Sequence, residues 1–109
     1  MSEKDVQVTE GNGNVFEDLG LPEADQLQVK AELTRQIYNI IHKRRLTQVA
    51  AGRLLGLKQP DISALMRGRF TGFSTDRLIK LLTTLDRDVD IIIKRKPRSR
   101  SARVNVTAA

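Results

Sequence analysis

A long amphipathic helix is predicted for residues 22–44. Pro22 suits the first turn of a helix, where its missing N–H does no harm, and the acidic Glu23 and Asp25 favour a helix N-terminus. The basic residues 43–45 suit the opposite end. Apolar residues recur between these ends at three- and four-residue spacing, which predicts a buried face. That face is predicted to contain Ala24, Leu27, Ala31, Tyr38 and Ile41, widened by Leu33, Ile37 and Ile40.

Two short helices are predicted within residues 47–67, and a further amphipathic helix follows a loop that contains two glycines. Ser74 is a good N-cap for that further helix, because its hydroxyl can accept a hydrogen bond from a backbone N–H of the first turn. Asp76 suits the same turn. The apolar face of this helix is predicted to contain Leu78, Ile79, Leu81, Leu82 and Leu85.

The hydrophobic pattern changes from helical spacing to alternation at residues 88–96, which predicts one short strand. Its two faces are predicted to be Val89, Ile91 and Ile93 on one side and Asp88, Asp90 and Lys94 on the other. A single strand cannot pair its backbone groups with itself. Three partners remain open: the Val15–Phe16 segment, the same strand of a second subunit, or another protein.

The residue types present exclude most catalytic and metal chemistry. The chain of 109 residues has no cysteine and one histidine, His42, so disulfides, thiolate zinc sites and most histidine-based metal sites are excluded. No nucleophile–base pair is visible, and we expect neither an enzyme, nor a cofactor, nor a bound metal. No apolar run approaches the ~20 residues that cross a bilayer, and residues 1–14 do not resemble a signal peptide, so a cytoplasmic protein without a membrane partner is expected.

The net charge of +6 conceals a sharp division along the chain. Residues 1–32 hold eight acidic and two basic residues, whereas residues 33–109 hold five acidic and seventeen basic residues. A basic block of this density suits a polyanionic partner without choosing a sequence. On charge alone, a membrane surface or ribosomal RNA fits as well as DNA.

Residues 47–67 have the features of two helices that meet at a tight turn. Thr47 can cap the first helix, and Gly56 can end it in the left-handed conformation that glycine tolerates best. Gly52 costs about 1 kcal/mol relative to alanine within a helix, so it indicates a close crossing of two helices. Pro60 falls in the first turn of the second helix, where it is tolerated. The residues spaced to fill the gap between the helices are Leu55, Leu57 and Ile62.

These elements divide the chain into three parts. Residues 1–14 are polar, lack periodicity and are predicted to be a disordered lead. Residues 15–96 are predicted to be the folded domain, and residues 97–109 a basic disordered tail. The predicted fold class is all-α: a compact helix-turn-helix bundle of about four to five helices, with one short C-terminal strand and disordered tails.

The stretch 47–67 resembles the helix-turn-helix of the XRE/Cro-type repressors. The flanking residues 14–20, 67–74 and 87–91 are similar to those of HigA-type antitoxins, which are the DNA-binding partners of RelE-like toxins. Lys58 departs from the family pattern, which carries Ser or Asp there, and this weakens the cap of the second helix. The residues that match the pattern are Thr47, Gln48, Leu55, Gly56, Gln59, Ile62 and Ser63, with Leu57 and Gly52 in the places of Val and Ala.

The resemblance implies that the second helix, about residues 59–67, lies in the major groove of DNA. Gln59 is the first candidate for base reading, because a glutamine can form two hydrogen bonds with adenine. The lesser base-reading candidates are Asp61, Ser63 and Ala64. The residues expected to contact phosphates are Gln48, Lys58, Arg67 and Arg69.

The implied function is a transcriptional repressor that binds a palindromic operator in double-stranded DNA as a homodimer, with half-sites about 34 Å apart. The subgroup further implies an autoregulating antitoxin with a RelE-like toxin as its partner. A stand-alone phage-like repressor and a non-specific RNA- or nucleoid-binding protein are the alternatives. An αα-hairpin with no DNA role is disfavoured by the surrounding basic residues and by the placement of Gln48 and Gln59.

Overall fold

The computed structural model describes residues 5–6 and 22–108. The described residues form four helices and one two-stranded sheet, which confirms the predicted all-α, helix-turn-helix fold. The Val15–Phe16 segment lies outside the described residues. In chain order the elements are β1 (Asp5–Val6), α1 (Glu23–Lys43), α2 (Gln48–Leu55), α3 (Gln59–Met66), α4 (Thr75–Thr84) and β2 (Ile91–Ile92).

The predicted buried face of α1 was correct for four of its eight residues. Four of the five residues that defined it, Ala24, Leu27, Ala31 and Tyr38, are exposed, and only Ile41 is buried. The helix packs mainly against α4 and to a smaller extent against α3, so only the side of α1 that faces these helices is covered. That side contains Val29, Leu33, Thr34, Ile37, Ile40 and Ile41, so the residues that were predicted to widen the stripe form its centre.

The predictions for α4 are confirmed. The hydroxyl of Ser74 accepts a hydrogen bond from the Arg77 N–H at 3.1 Å, and Leu78 and Leu85 are fully buried. The Arg44 side chain, which follows α1, donates to the carbonyl of Leu85 at 2.8 Å. Because this carbonyl is among the acceptors that the last turn of α4 leaves without a helical donor, the contact ties together the C-terminal ends of α1 and α4.

The C-terminal strand is shorter than predicted, and its partner is a different one. It covers Ile91–Ile92 instead of 88–96 and pairs antiparallel with β1, with Asp5 opposite Ile92 and Val6 opposite Ile91. The partner therefore comes from the polar stretch 1–14, which was predicted to be disordered. Ile93 was predicted to lie on the same side of the strand as Val89 and Ile91, but it is 54% exposed, whereas those two residues are partly buried.

The chain after β2 returns to the body of the protein. Val104 and Val106 are partly buried and pack against the hydrophobic core, as does Val89. The exposed His42 lies with its ring stacked on that of Tyr38, at a centroid distance of 5.8 Å, so it is a surface histidine. Among the residues that the structure describes, no helix has both the length and the apolar character that crossing a membrane requires.

Candidate nucleic-acid interface

The turn between α2 and α3 is fixed by contacts that the sequence predicted. The Thr47 hydroxyl accepts from the Ala50 N–H at 3.1 Å and caps the start of α2. Gly56 ends α2 with φ 68° and ψ 30°, in the left-handed region that favours glycine. The next N–H, that of Leu57, then donates to the Gly52 carbonyl at 2.8 Å and occupies one of the acceptors that the helix end leaves open.

Gly52 lies where the two short helices come closest. A Cβ atom at this position would lie 3.1 Å from the carbonyl oxygen of Leu57 and 3.5 Å from a methyl carbon of Ile62. The carbonyl belongs to the turn itself and cannot move without disturbing it. Glycine at position 52 therefore allows Ile62 to be fully buried between α2 and α3, which confirms the predicted close crossing.

The third helix buries one face and leaves the other open to solvent. Ile62 and Leu65 are buried in the core, and they fix the rotation of α3 about its axis. The opposite face carries the candidate base-reading residues: Gln59 is exposed, and Asp61, Ser63 and Ala64 are partly exposed. The candidate phosphate-binding residues Gln48, Lys58, Arg67 and Arg69 are all exposed.

Gln48 and Gln59 are brought together by the turn. The Gln59 Nε2 donates to the Gln48 Oε1 at 3.1 Å, which joins the first residue of α2 to the first residue of α3. A glutamine amide has two N–H donors and one carbonyl acceptor. The bond to Gln48 uses one donor of Gln59, so its other donor and its acceptor remain for a ligand. One donor next to one acceptor is the pattern that matches an adenine edge.

The start of α3 differs from the starts of α2 and α4. Its N-cap residue is Lys58, with φ −71° and ψ 157°, and within the described chain no side chain caps this helix end. The prediction that Lys58 weakens the cap is confirmed. Pro60 lies in the first turn, as predicted, where it needs no hydrogen-bond acceptor. The exposed ammonium group of Lys58 therefore lies beside a helix N-terminus, and both attract anions.

Asp61 makes a contact that sequence reasoning missed. The Arg77 guanidinium lies 3.5 Å from a carboxylate oxygen of Asp61 and 4.6 Å from the centre of the Phe73 ring. Both ends of the Asp61–Arg77 pair are more than 40% exposed, so the pair adds little stability. It does place a positive charge beside Asp61, the one carboxylate among the candidate base-reading residues. Sixteen residues separate the two side chains, and no local pattern connects them.

Residues 15–94 match the model of a family described as a helix-turn-helix domain. A solved structure described as a putative XRE family transcriptional regulator is similar to this chain, with a TM-score of 0.78 and 46% sequence identity over 81% of this chain and 100% of that one. The chain belongs to the XRE-type helix-turn-helix family. No significant match was found among curated proteins.

Membership in the XRE-type family agrees with the geometry of α2 and α3. The family consists of non-enzymatic DNA-binding transcription regulators, in agreement with the expectation from the residue types. The family match also covers α1, α4 and β2, so these elements belong to the same domain as the helix-turn-helix. The assignments of individual base-reading and phosphate-binding residues stay predictions.

Proposed function

We propose that this XRE-type protein is a transcriptional repressor that binds a palindromic operator as a homodimer and reads it with α3. The observation that carries the proposal is the Gln48–Gln59 pair, which stands exposed at the N-terminal end of α3 while Ile62 and Leu65 hold the other face of that helix in the core. A glutamine that is already held by a neighbour loses less side-chain entropy when it binds a base. Gln59 is therefore a pre-oriented reading residue.

The proposed binding mode is based on the two faces of α3. With α3 in the major groove, the free donor and acceptor of Gln59 would face the N6 and N7 atoms of an adenine. Ser63 lies one helical turn further along the same face and would accept from or donate to the next base pair. Ala64 is small and apolar, and it suits contact with a thymine methyl group. Asp61, neutralised by Arg77, would be the least important of these contacts.

Phosphate contacts would come from both ends of the reading helix. Lys58 lies at its N-terminal end and Arg67 at its C-terminal end, and both are exposed. Arg69 comes next in the loop, and Gln48 lies at the start of α2. Such contacts fix the register of a protein on the duplex without reading the sequence. A single eight-residue helix reads only a few base pairs, so two copies on half-sites about 34 Å apart would supply the rest of the specificity.

The finer proposal is that the repressor is an autoregulating antitoxin of a toxin–antitoxin operon with a RelE-like toxin. The similarity of residues 14–20, 67–74 and 87–91 to HigA-type antitoxins supports it. So does the exposed side of α1, where Leu27 is 43% and Tyr38 38% exposed, because apolar residues in line on one helix offer a protein-binding surface. The test is co-expression with the neighbouring reading frame. If the protein encoded there stops growth, the wild-type chain restores growth and the double variant Leu27→Asp/Tyr38→Asp does not, the antitoxin proposal is supported. A neighbouring gene whose product is not toxic contradicts it.

The repressor proposal is tested by operator selection and gel shift. Duplexes are selected from a random pool with the full chain, and Gln59→Ala is compared with Gln28→Ala, an exposed glutamine on α1. Loss of the Gln59 contact should weaken binding by about 1–3 kcal/mol, or roughly 5- to 150-fold, and relax the preference at one base pair. Arg67→Ala should weaken binding to all duplexes alike. It should also lower by about one the salt slope, which is the slope of log affinity against log salt concentration.

Two outcomes would overturn the repressor. Full operator affinity in both Gln59→Ala and Arg67→Ala would remove α3 from the interface. Equal affinity for selected and random duplexes would favour the non-specific RNA- or nucleoid-binding alternative. Binding to a specific operator, with no toxin gene beside it, would favour the stand-alone repressor over the antitoxin.

A further inference from the structure

The ten residues that come shortly after the C-terminal strand hold the entire net charge of the protein. This segment, residues 94–103, is named the basic arm. The chain has 19 basic and 13 acidic residues; the arm holds six of the basic ones and no acidic one, so the rest of the chain is balanced at 13 of each. The basic residues of the arm are Lys94, Arg95, Lys96, Arg98, Arg100 and Arg103.

The structure closes the basic arm into a loop. The arm begins shortly after β2, which is held by pairing with β1, and the chain turns at Arg98–Ser99. Beyond the arm, Val104 and Val106 are partly buried against the hydrophobic core, while Asn105 and Thr107 between and after them are exposed. This alternation is that of an extended segment with one face on the core. The basic residues are therefore presented by a loop held at both ends.

The charges of the basic arm have no partner within the described part of the chain. The ion pairs found there, Arg35–Glu32 and Arg77–Asp61, involve none of its residues. Arg100 donates to the adjacent carbonyl of Ser101 at 3.1 Å, and five of the six basic residues are exposed. Six unpaired positive charges within ten residues repel one another, and a polyanion relieves that repulsion.

We propose that the basic arm is a second DNA-binding element, which contacts phosphates of the duplex beside the base pairs read by α3. This inference rests on the proposed function. The arm contains no aromatic residue on which single-stranded bases could stack, so its charges are expected to act on the phosphates of a duplex. Because both ends of the loop are held, less chain entropy is lost on binding than for a free tail.

The first test measures how binding depends on salt. Both a duplex selected with the full chain and a mixed-sequence duplex of the same length are titrated at several salt concentrations. An arm variant in which all six basic residues are replaced by glutamine should lower the slope of log affinity against log salt concentration by about 2–5, since each lost phosphate contact removes ~0.9. It should also weaken binding to both duplexes at least about tenfold at ~0.15 M salt. An unchanged slope overturns the proposal. This arm variant carries the substitutions K94Q, R95Q, K96Q, R98Q, R100Q and R103Q.

The second test separates an anchored loop from a free basic tail. V104S/V106S keeps every charge but removes the contact with the core, and N105S/T107S is the control at the exposed neighbours. Circular dichroism verifies that both remain folded. We expect the first variant to bind the selected duplex about 3- to 10-fold more weakly and the control to bind as wild type. Equal binding by the two variants overturns the role of the anchor.

The readouts distinguish failure of this inference from failure of the proposed function. If Gln59→Ala and Arg67→Ala both keep full affinity but the arm variant still lowers the salt slope on mixed-sequence duplex, the repressor proposal fails and the arm proposal stands. If Gln59→Ala relaxes the preference at its base pair and the arm variant leaves the salt slope unchanged, the arm proposal fails and the repressor proposal stands. Tighter binding of the wild-type chain to single-stranded RNA than to either duplex, lost in the arm variant, would reassign the arm to RNA and overturn the proposal.

Discussion

The two helices of the helix-turn-helix have the same length of eight residues but begin in different ways. The first, α2, is capped at both ends by residues of its own segment. The Thr47 hydroxyl accepts a hydrogen bond from the Ala50 N–H at its start, and Gly56 adopts the left-handed conformation at its end. Such caps are local and do not depend on the rest of the fold. The second, α3, lacks the first of these, because Lys58 precedes it without capping it. Its C-terminal end closes as that of α2 does, with Gly68 at φ +76° and the Arg69 N–H donating to the Ala64 carbonyl at 2.9 Å.

Without an N-cap, the third helix depends on the burial of its core-facing side. Ile62 is fully buried and Leu65 is 1% exposed, so both side chains contribute close to the full value of their transfer out of water. The residues at the two ends of α3 are basic and exposed. The difference teaches that the helix proposed to bind DNA is held from its core side, which leaves its uncapped N-terminus available for a phosphate. Substitutions in the core and at the helix ends can test this division of roles.

Ile62→Ala should produce the largest effect, because it removes the main anchor of α3. The variant leaves a cavity against Gly52 and should lower the free energy of unfolding by about 2–5 kcal/mol, measured by urea denaturation. Val49→Ala is the control on α2, where the side chain is 56% exposed, and should change stability by less than about 0.5 kcal/mol. Similar losses in both variants would show that α3 is not specifically dependent on burial.

Gly56→Ala tests the end of α2. Nothing lies within 4 Å of the position of a Cβ at Gly56, so the expected loss comes from the backbone alone, at φ +68°. An alanine held in the left-handed region should cost about 1–2 kcal/mol. Gly72→Ala is matched, since it also has open space but no positive φ, and it should be neutral or slightly stabilising. If thermal melts gave the two variants the same Tm, the left-handed end of α2 would not matter.

Thr47→Ala tests the start of α2. Loss of the hydroxyl that accepts from Ala50 should lower stability by about 1 kcal/mol, and Ser74→Ala, which removes a cap of the same 3.1 Å length on α4, should do the same. Thr71→Ala, in the exposed loop, is the control and should change stability by no more than a few tenths of a kcal/mol. A neutral Thr47→Ala beside a destabilising Ser74→Ala would mean that α2 does not rely on its cap.

The comparison of the two helices also shows which features can be predicted from sequence. The caps at Thr47 and Ser74, the left-handed Gly56, the close crossing at Gly52 and the weak cap at Lys58 were all predicted correctly. Each of them depends on neighbours within about ten residues, where backbone geometry links residue type to conformation directly. The Gln48–Gln59 hydrogen bond was not predicted, although the turn that brings the two side chains together is local.

The other features that were missed depend on distant partners. The sequence of α1 is apolar on more than one side, and which side is buried depends on where α4 and α3 pack. The pairing of Asp5–Val6 with β2 spans most of the chain, and two residues are too few to show an alternating pattern. Arg77 meets Asp61 only because α3 and α4 fold together. Periodicity alone carries no information about such contacts.

Lys58→Ser should have the smallest effect on stability. Unlike Gly56→Ala and Thr47→Ala, it is expected to raise the stability of the protein. A serine hydroxyl at the start of α3 supplies the missing cap and should stabilise the fold by about 0.5–1 kcal/mol. The same change should weaken operator binding and lower the salt slope by about 0.9, because one phosphate contact is lost.

Lys58→Gln separates the two effects, since it removes the charge without supplying a good cap. It should match Lys58→Ser in DNA binding but not in stability. Chemical denaturation and gel shift on both variants then measure what the uncapped start of α3 contributes. If Lys58→Ser bound DNA as tightly as wild type while gaining stability, the lysine would have no role at this helix end, and the contrast between the two helices would lose its functional meaning.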